Sequence, residues 1–518
     1  MIMMPLARFY LAVLLTGLAL HAHPQDLYSY SVDLTHLEDD RLHVELVVPQ
    51  DIGDSATYCL PRIVPGIYGA MDHGRLIEKI TAFDHVGDTI NVERIDTNCW
   101  RMNGRAARLI YSVDDGWEEF DQHVKDILPG DPGYYRSSEG TFKDSVFVIN
   151  HNAVFGYFRG HEDRAFRISV HLPEGTYAAT GLDRNKMNDS TIFIATNYRS
   201  LVDAPMLIAP PDTAHIPLRD IDVLVAVHST SGRPMAHAIA EHIRPLLQDQ
   251  RDYLGGSLPV DLYTFLLYHH PETRPDSWSG DGLEHSASTL ILLHSPTDPE
   301  AIKRQVYNIA SHEFFHTILP LSVHSEEIAN YDFQQPEMSR HLWLYEGMTE
   351  YFAMHMPVKQ GRISLEDFLD RIGQKIQRMQ TFTDTIALTE LSLQAMERQD
   401  QYYNFYLKGT LFCMGLDIAL REGSNGEKGV VWLVNELRQQ FGPERPFKDE
   451  ELFAVIERIT WPEIGEMLRE HLDRPGPLPL EEWFAKAGLE FDREKMVVGP
   501  TADPDPEQLQ LRRWWIGE

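Results

Sequence analysis

The chain predicts an α+β multidomain protein, with an N-terminal antiparallel β-sandwich-like domain, a mixed region that carries a metal motif, and a helical C-terminal region. Three observations carry this expectation. From Leu27 to about Pro211, short alternating or β-branched runs are broken by turns. After residue 299 the apolar residues recur almost wholly at helical spacing. Within that helical part, residues 312 to 316 read His-Glu-Phe-Phe-His. At 518 residues the chain is too long for one compact core, and its 43% hydrophobic content fits globular domains rather than serial membrane spans.

Taken in order, Arg8, the apolar run Phe9 to Leu20 and the following His-Ala-His-Pro read as a secretory signal peptide over 1–22, cleaved after Ala22. That run is shorter than the roughly twenty residues a span needs, so the mature chain is expected to be exported, periplasmic or secreted, with no transmembrane span. The β domain, 23–215, has strands expected at Leu42–Val48, Arg108–Val113, Ser145–Ile149, Phe166–Leu172 and Thr191–Thr196. Cys59 and Cys99 both fall in it; an oxidising compartment permits their bridge, but sequence does not set their separation. Cys413, in an apolar helical run, reads as a small buried hydrophobe.

The next region, 216–357, begins with strand-like runs at Asp220–Val227 and Leu258–Tyr268 around a helical stretch, Ala236–Tyr253. Gly280-Asp-Gly282-Leu-Glu284-His285 reads as a glycine-bracketed loop, followed by an exposed strand, Ser288–His294. An exposed strand can pair with an extended peptide by backbone hydrogen bonds. A carboxylate at its end, Glu284, with Gly282 beside it, could then hold the peptide's terminal ammonium. A lone glutamate in a turn is more often just a solvated charge.

The segment Glu300–Leu319 carries Ile302, Val306, Ile309 and Ala310 at helical spacing, with Asp298 to cap it, Pro299 first and Pro320 to close it. His312 and His316, four residues apart, rise from one face, while Glu313, rotated by about 100°, points beside a shared metal. A catalytic zinc needs a third protein ligand and an open position. Glu346 is the candidate, thirty positions past His316 within Leu-Trp-Leu-Tyr-Glu-Gly-Met-Thr-Glu, on a second helical segment, Arg340–Met356. Glu350 lies one turn further, where a carboxylate can accept a ring N–H from a ligating histidine; a solvated surface charge is the alternative.

In the helical subdomain, 358–495, Ser364 with Asp367 starts a helix bearing Leu365, Phe368, Leu369, Ile372 and Ile376 on one side. Asn404-Phe-Tyr406-Leu-Lys408-Gly409 opens the helical run Thr410–Arg421. Tyr406 could donate its O–H to a developing oxyanion, or pack with Tyr402 and Tyr403 between helices. Glu481–Ala487 is the last short helix, and the tail, 496–518, holds Trp514 and Trp515, whose default is packing against the helical region, with a partner contact as the alternative. The formal net charge of −32 argues against nucleic acid or an anionic membrane as partner. Neither low-complexity tracts nor internal repeats stand out, and oligomeric state is not legible.

The set His-Glu-Phe-Phe-His, Leu-Trp-Leu-Tyr-Glu-Gly-Met-Thr-Glu-Tyr-Phe, Gly-Leu-Glu-His and Tyr-Leu-Lys-Gly resembles the glycyl aminopeptidase family of gluzincin metallopeptidases. Pro65-Gly-Ile-Tyr68, Asn98-Cys-Trp100, Leu201-Val-Asp-Ala-Pro205 and Leu478-Pro-Leu-Glu-Glu-Trp-Phe-Ala-Lys-Ala-Gly-Leu489 are similar to segments at its two ends. The resemblance implies a β-rich N-terminal domain before a thermolysin-like catalytic domain, and aminopeptidase action on small N-terminal residues, glycine or alanine. It implies one Zn2+ per chain on His312, His316 and Glu346, with Glu313 as general base toward a water that the zinc acidifies. By similarity to the related aminopeptidase N family, Glu284 anchors the substrate amine and Tyr406 stabilises the oxyanion. Two departures stand out. Many members carry a PDZ domain after the helical region, for which the 27 residues past Phe491 are too few. The segment Ile318–Gln335, with His324, Glu326 and Glu327, replaces a basic stretch and bears on substrate preference. A zinc endopeptidase of the same fold and a non-catalytic exported binding protein are the other readings.

Overall fold

The structure is a computed structural model that describes residues 26–39, 41–117, 140–143, 146–187, 190–219, 221–271, 280–294 and 298–517. The expected signal peptide lies outside the described residues. The chain parts into two compact units: residues up to 215 with 223–237 and 262–298 form the first, and 216–222, 238–261 and 299–518 the second.

The first unit is built from alternating strands. Tyr28–Asp33 buries Tyr28, Tyr30 and Val32 on one face. It pairs antiparallel with Leu42–Val47 and parallel with Phe166–His171, inside a sheet of eleven strands among the described residues. That one parallel pair makes the large sheet mixed, since the chain reaches Phe166 only after most of the other strands are laid down. Buried phenols satisfy one another in its core. Tyr58 Oη lies 3.0 Å from Tyr30 Oη and 2.9 Å from Tyr111 Oη, and those two hydroxyls donate to the carbonyls of Gly156 and Val154. Cys59 and Cys99 face each other across neighbouring strands and form a disulfide.

A four-stranded sheet including Val146–Ile149 and Met206–Ala209 shares a core with a five-stranded sheet through Val148, Leu207, Leu224, Leu266, Leu290 and Leu292. In the latter, Ser288–His294 is buried along its whole length, paired parallel with Leu262–His270 and antiparallel with Gly280–His285. This corrects two expectations. The edge strand is Gly280–His285, half-buried to buried along its length, which had read as a loop, and Ser288–His294 is interior. An uninterrupted apolar run is what a strand buried on both faces requires. The glycines at 280 and 282 had suggested a turn, yet they sit in register opposite Leu293 and Ile291.

The second unit is helical. Ser364 caps Leu365–Met379 as expected: its Oγ accepts the Asp367 N–H at 3.1 Å, and Phe368, Leu369, Ile372 and Ile376 are buried. Thr410–Gly423 is buried from Thr410 through Ile418 on every side, the mark of a central helix. After a hairpin, Leu489–Asp492 with Val497–Pro500, the tail forms a helix, Pro506–Ile516. Its Trp515 is fully buried and donates its indole N–H to Tyr351 Oη at 2.8 Å, so the tail packs on its own unit. Among the described residues no helix is long and apolar enough to cross a membrane.

Candidate active site

The helix expected over Glu300–Leu319 runs from Pro299 to Phe315, so His316 falls in the turn just beyond it. Pro320 has no N–H for the His316 carbonyl four residues back. The backbone tightens instead: His316, Thr317 and Ile318 N–H groups bond the carbonyls of Glu313, Phe314 and Phe315 at 3.2, 3.2 and 3.0 Å. His316 stays beside His312, and its Nδ1 lies 2.8 Å from the Leu319 carbonyl. His312 Nδ1 lies 2.9 Å from Glu350 Oε2. A carbonyl and a carboxylate only accept, so each ring donates from Nδ1 and presents its Nε2 lone pair. Those two Nε2 atoms stand 3.0 Å apart.

Glu346 completes the triangle. It lies in a π-helical turn, Trp343–Gly347, that leads into the α-helix Met348–Lys359, whose last turn contains Pro357. All five residues of the turn are buried. Glu346 Oε2 is 3.6 Å from both Nε2 atoms and has no hydrogen-bond partner. A tetrahedral zinc with bonds of roughly 2.0–2.1 Å needs ligand atoms about 3.3–3.4 Å apart. Sides of 3.0, 3.6 and 3.6 Å bracket that spacing, and two facing lone pairs beside an orphaned buried carboxylate oxygen fit a shared cation. The local field agrees. Burial pushes the His312 pKa down, but Glu346, Glu350 and Glu313 raise it well above its ordinary value. Burial pushes Glu346 up, yet His316 and His312 hold it below the usual carboxylate range.

Glu313 is buried, and one carboxylate oxygen lies within 4.8 Å of a ring nitrogen of His316. Glu350 is a ring N–H acceptor rather than a solvated charge, with its other oxygen 2.6 Å from Lys375 Nζ. Burial raises its pKa, but Lys375 and then His312 bring it down to about 2. Tyr406 sits in a second π-helical turn, Phe405–Gly409. Its ring centroid is 5.5 Å from that of His312, and its Oη is 3.3 Å from Tyr402 Oη. Tyr402 in turn donates to Glu346 Oε1 at 3.3 Å. The two π-turns meet through glycines, for a Cβ on Gly347 would stand 2.7 Å from the Gly409 carbonyl carbon.

Seven of these side chains, His312, His316, Glu346, Glu350, Lys375, Tyr402 and Tyr406, thus share one cluster in the second unit. Sequence reasoning missed Tyr402 and Lys375 as members; the four-residue spacing of Tyr402 and Tyr406 was the available signal for the first. Glu284 and Gly282 belong to the first unit, on the edge strand. There Glu284 packs against the backbone of Gly66, whose φ is +84° and where a Cβ would come within 2.9 Å of Glu284 Oε1.

Comparison with known proteins finds likenesses of fold and of sequence. The aminopeptidase N family protein from Idiomarina loihiensis superposes with a TM-score of 0.76 at 21% identity, over 90% of this chain and 79% of that one. The M1 zinc metallopeptidase from Deinococcus radiodurans gives 0.55 at 15% identity, over 88% and 95%. Leukotriene A4 hydrolase from Saccharomyces cerevisiae gives 0.52 at 11% identity, over 88% and 68%. No curated protein matches the sequence. Residues 29–210 match the model of the peptidase M61 N-terminal domain, and residues 305–412 that of the M61 glycyl aminopeptidase. Fold and site together define a zinc metallopeptidase of the aminopeptidase class. The chain belongs to the M61 glycyl aminopeptidase family.

Proposed function

We propose that the chain is an exported aminopeptidase that removes small N-terminal residues, glycine or alanine, from peptides, with one zinc per chain held by His312, His316 and Glu346. The triangle of His312 Nε2, His316 Nε2 and Glu346 Oε2, with its sides of 3.0, 3.6 and 3.6 Å, is the observation that carries the reading. When bound, zinc acidifies a water and polarises the scissile carbonyl. Glu313 takes the proton from the attacking water and returns it to the leaving amine. Tyr406 donates its phenolic proton to the oxygen that becomes negative. Glu350 fixes the tautomer and tilt of His312. Glu284, with Gly282 on the same strand, holds the substrate ammonium and sets which bond is cut.

A preference for small residues is supported by the glycyl aminopeptidase description of the family. Peptide substrates are supported by the Deinococcus radiodurans relative, whose mutant form is described as bound to a Tyr-Ser-Ala substrate. Export is supported by the Cys59–Cys99 disulfide, a bond that oxidising compartments sustain. One peptide with N-terminal alanine, offered free and N-acetylated to the zinc-loaded protein, tests the reading: only the free form is cleaved. Equal cleavage of both would make the enzyme an endopeptidase. Glu313→Gln keeps its zinc and loses about 10²- to 10⁴-fold in kcat.

A further inference from the structure

The helix Leu365–Met379 sends one lysine toward the metal ligands. Lys375, with a side chain only 14% exposed, donates from Nζ to Glu350 Oε1 at 2.6 Å and to the main-chain carbonyl of Tyr406 at 3.0 Å. Glu350 offers its other oxygen to His312 Nδ1 at 2.9 Å. The Tyr406 carbonyl also accepts from Thr410 Oγ1 at 2.8 Å, within the turn that aims the phenol. One ammonium therefore stands between two elements, each carrying a functional group.

We propose that Lys375 is a positioning residue for the reaction: by holding Glu350 and the Tyr406 carbonyl together, it sets the orientation of the ligand His312 and of the Tyr406 phenol at once. A carboxylate gripped only by a histidine N–H can turn about its terminal torsion. A second, charge-assisted bond on its other oxygen stops that rotation. An ammonium suits the task because its three protons diverge, so two go to acceptors on different elements, whereas a guanidinium fork favours two acceptors in one plane. Groups that orient a metal ligand in this way are typically worth about 10- to 100-fold in metal affinity or activity. The inference rests on the zinc aminopeptidase reading above.

Lys375→Met keeps the length of the stem and removes the charge. Its zinc dissociation constant, measured by competition with a chelator, rises about tenfold, and kcat on an alanyl peptide falls about 10- to 100-fold with KM within about threefold. Lys375→Arg recovers most of the zinc affinity. In a Tyr406→Phe background Lys375→Met costs less kcat than in the wild type, because one of the two groups it positions is gone, while its effect on zinc persists. Zinc affinity and kcat both within about twofold of wild type overturn the proposal, as does full additivity with Tyr406→Phe. If Lys375→Met fails to fold, Lys375→Gln takes its place. The glutamine variant must then show both losses and the arginine variant be spared, or the proposal falls. A wild type that holds no zinc or cleaves no peptide defeats the underlying reading, an outcome distinct from an active wild type that Lys375→Met matches.

Discussion

The two oxygens of Glu346 face different partners: Oε2 looks at both histidines from 3.6 Å, and Oε1 accepts from Tyr402 at 3.3 Å. Tyr402 therefore touches the proposed metal ligand, as does Tyr406, whose side-chain hydrogen bond joins His316 and His312 in holding the Glu346 pKa down against burial; Tyr406, beside His312, is the phenol proposed for the substrate oxygen. Different losses follow. Tyr406→Phe should lower kcat by about 10²- to 10³-fold with little change in KM, as when an oxyanion donor is removed. Tyr402→Phe should cost about tenfold or less, because only the orientation of Glu346 relaxes. Steady-state kinetics with metal analysis of both variants checks this, and a larger loss for Tyr402→Phe would exchange the two roles. At this scale much of the site is legible in the sequence. The histidine pair, Glu346 and Glu350 declare themselves by residue type and spacing, since side chains four apart on a helix share a face. Tyr402 and Lys375 do not, because a hydroxyl and an ammonium acquire their partners only when three separate helices come together.

Elements show where local reading ends. Both Glu346 and Tyr406 ride on π-helical turns, and no propensity in Trp343–Gly347 or Phe405–Gly409 announces the extra residue per turn. The packing that selects it is a glycine contact. Gly347 has ordinary right-handed helical torsions, φ −65° and ψ −42°, so glycine is there for space rather than for conformation. A Cβ on it would lie 2.7 and 2.8 Å from Gly409 backbone atoms, whereas one on Gly409 would lie 3.2 Å from Gly347 Cα. Gly347→Ala should therefore push the turns apart and destabilise the protein by about 1–3 kcal/mol, more than Gly409→Ala. Denaturant midpoints rank the two, and an equal or reversed order would show that the turns yield without strain. The same limit explains the edge strand Gly280–His285. Two glycines in six residues argue for a turn locally, and only pairing with Ser288–His294 makes them extended.

Across the whole second unit, the buried Asp417 joins the helix carrying Glu350 to the C-terminal tail. Its carboxylate accepts from Tyr351 Oη at 2.8 Å, Arg421 Nε at 3.0 Å and the Val430 N–H at 2.9 Å. Tyr351 receives the Trp515 indole N–H at 2.8 Å, and the Trp514 carbonyl accepts from Lys359 at 2.7 Å and Arg421 at 2.8 Å. His355 closes this network. Its Nε2 lies 2.9 Å from the Trp515 carbonyl and so carries the proton, leaving Nδ1 to accept from Tyr253 Oη at 2.8 Å. Protonating Nδ1 would reverse that second bond and place a charge in a site with no exposure. Burial accordingly lowers the His355 pKa from 6.5 to about 4, although Asp417, 3.8 Å away, pulls the other way; Arg421 and Lys359 add to the lowering. Between those two values the unfolded chain binds a proton that the folded chain refuses, so stability rises with pH there and falls as acid is added. The contribution is complete above the unfolded pKa and lost toward pH 4, about 3 kcal/mol over the window. Asp417, held below its ordinary range against the pull of burial by Arg421 and His355, loses its own contribution only at lower pH, so the two steps separate. Denaturant melts at intervals from pH 7.5 to 4 should show this slope in the wild type and a flatter one in His355→Gln, whose amide can still donate to the Trp515 carbonyl. Coincident slopes would assign acid sensitivity to another group. A steeper wild type would assign that part of the acid sensitivity to His355, where the tail is seated.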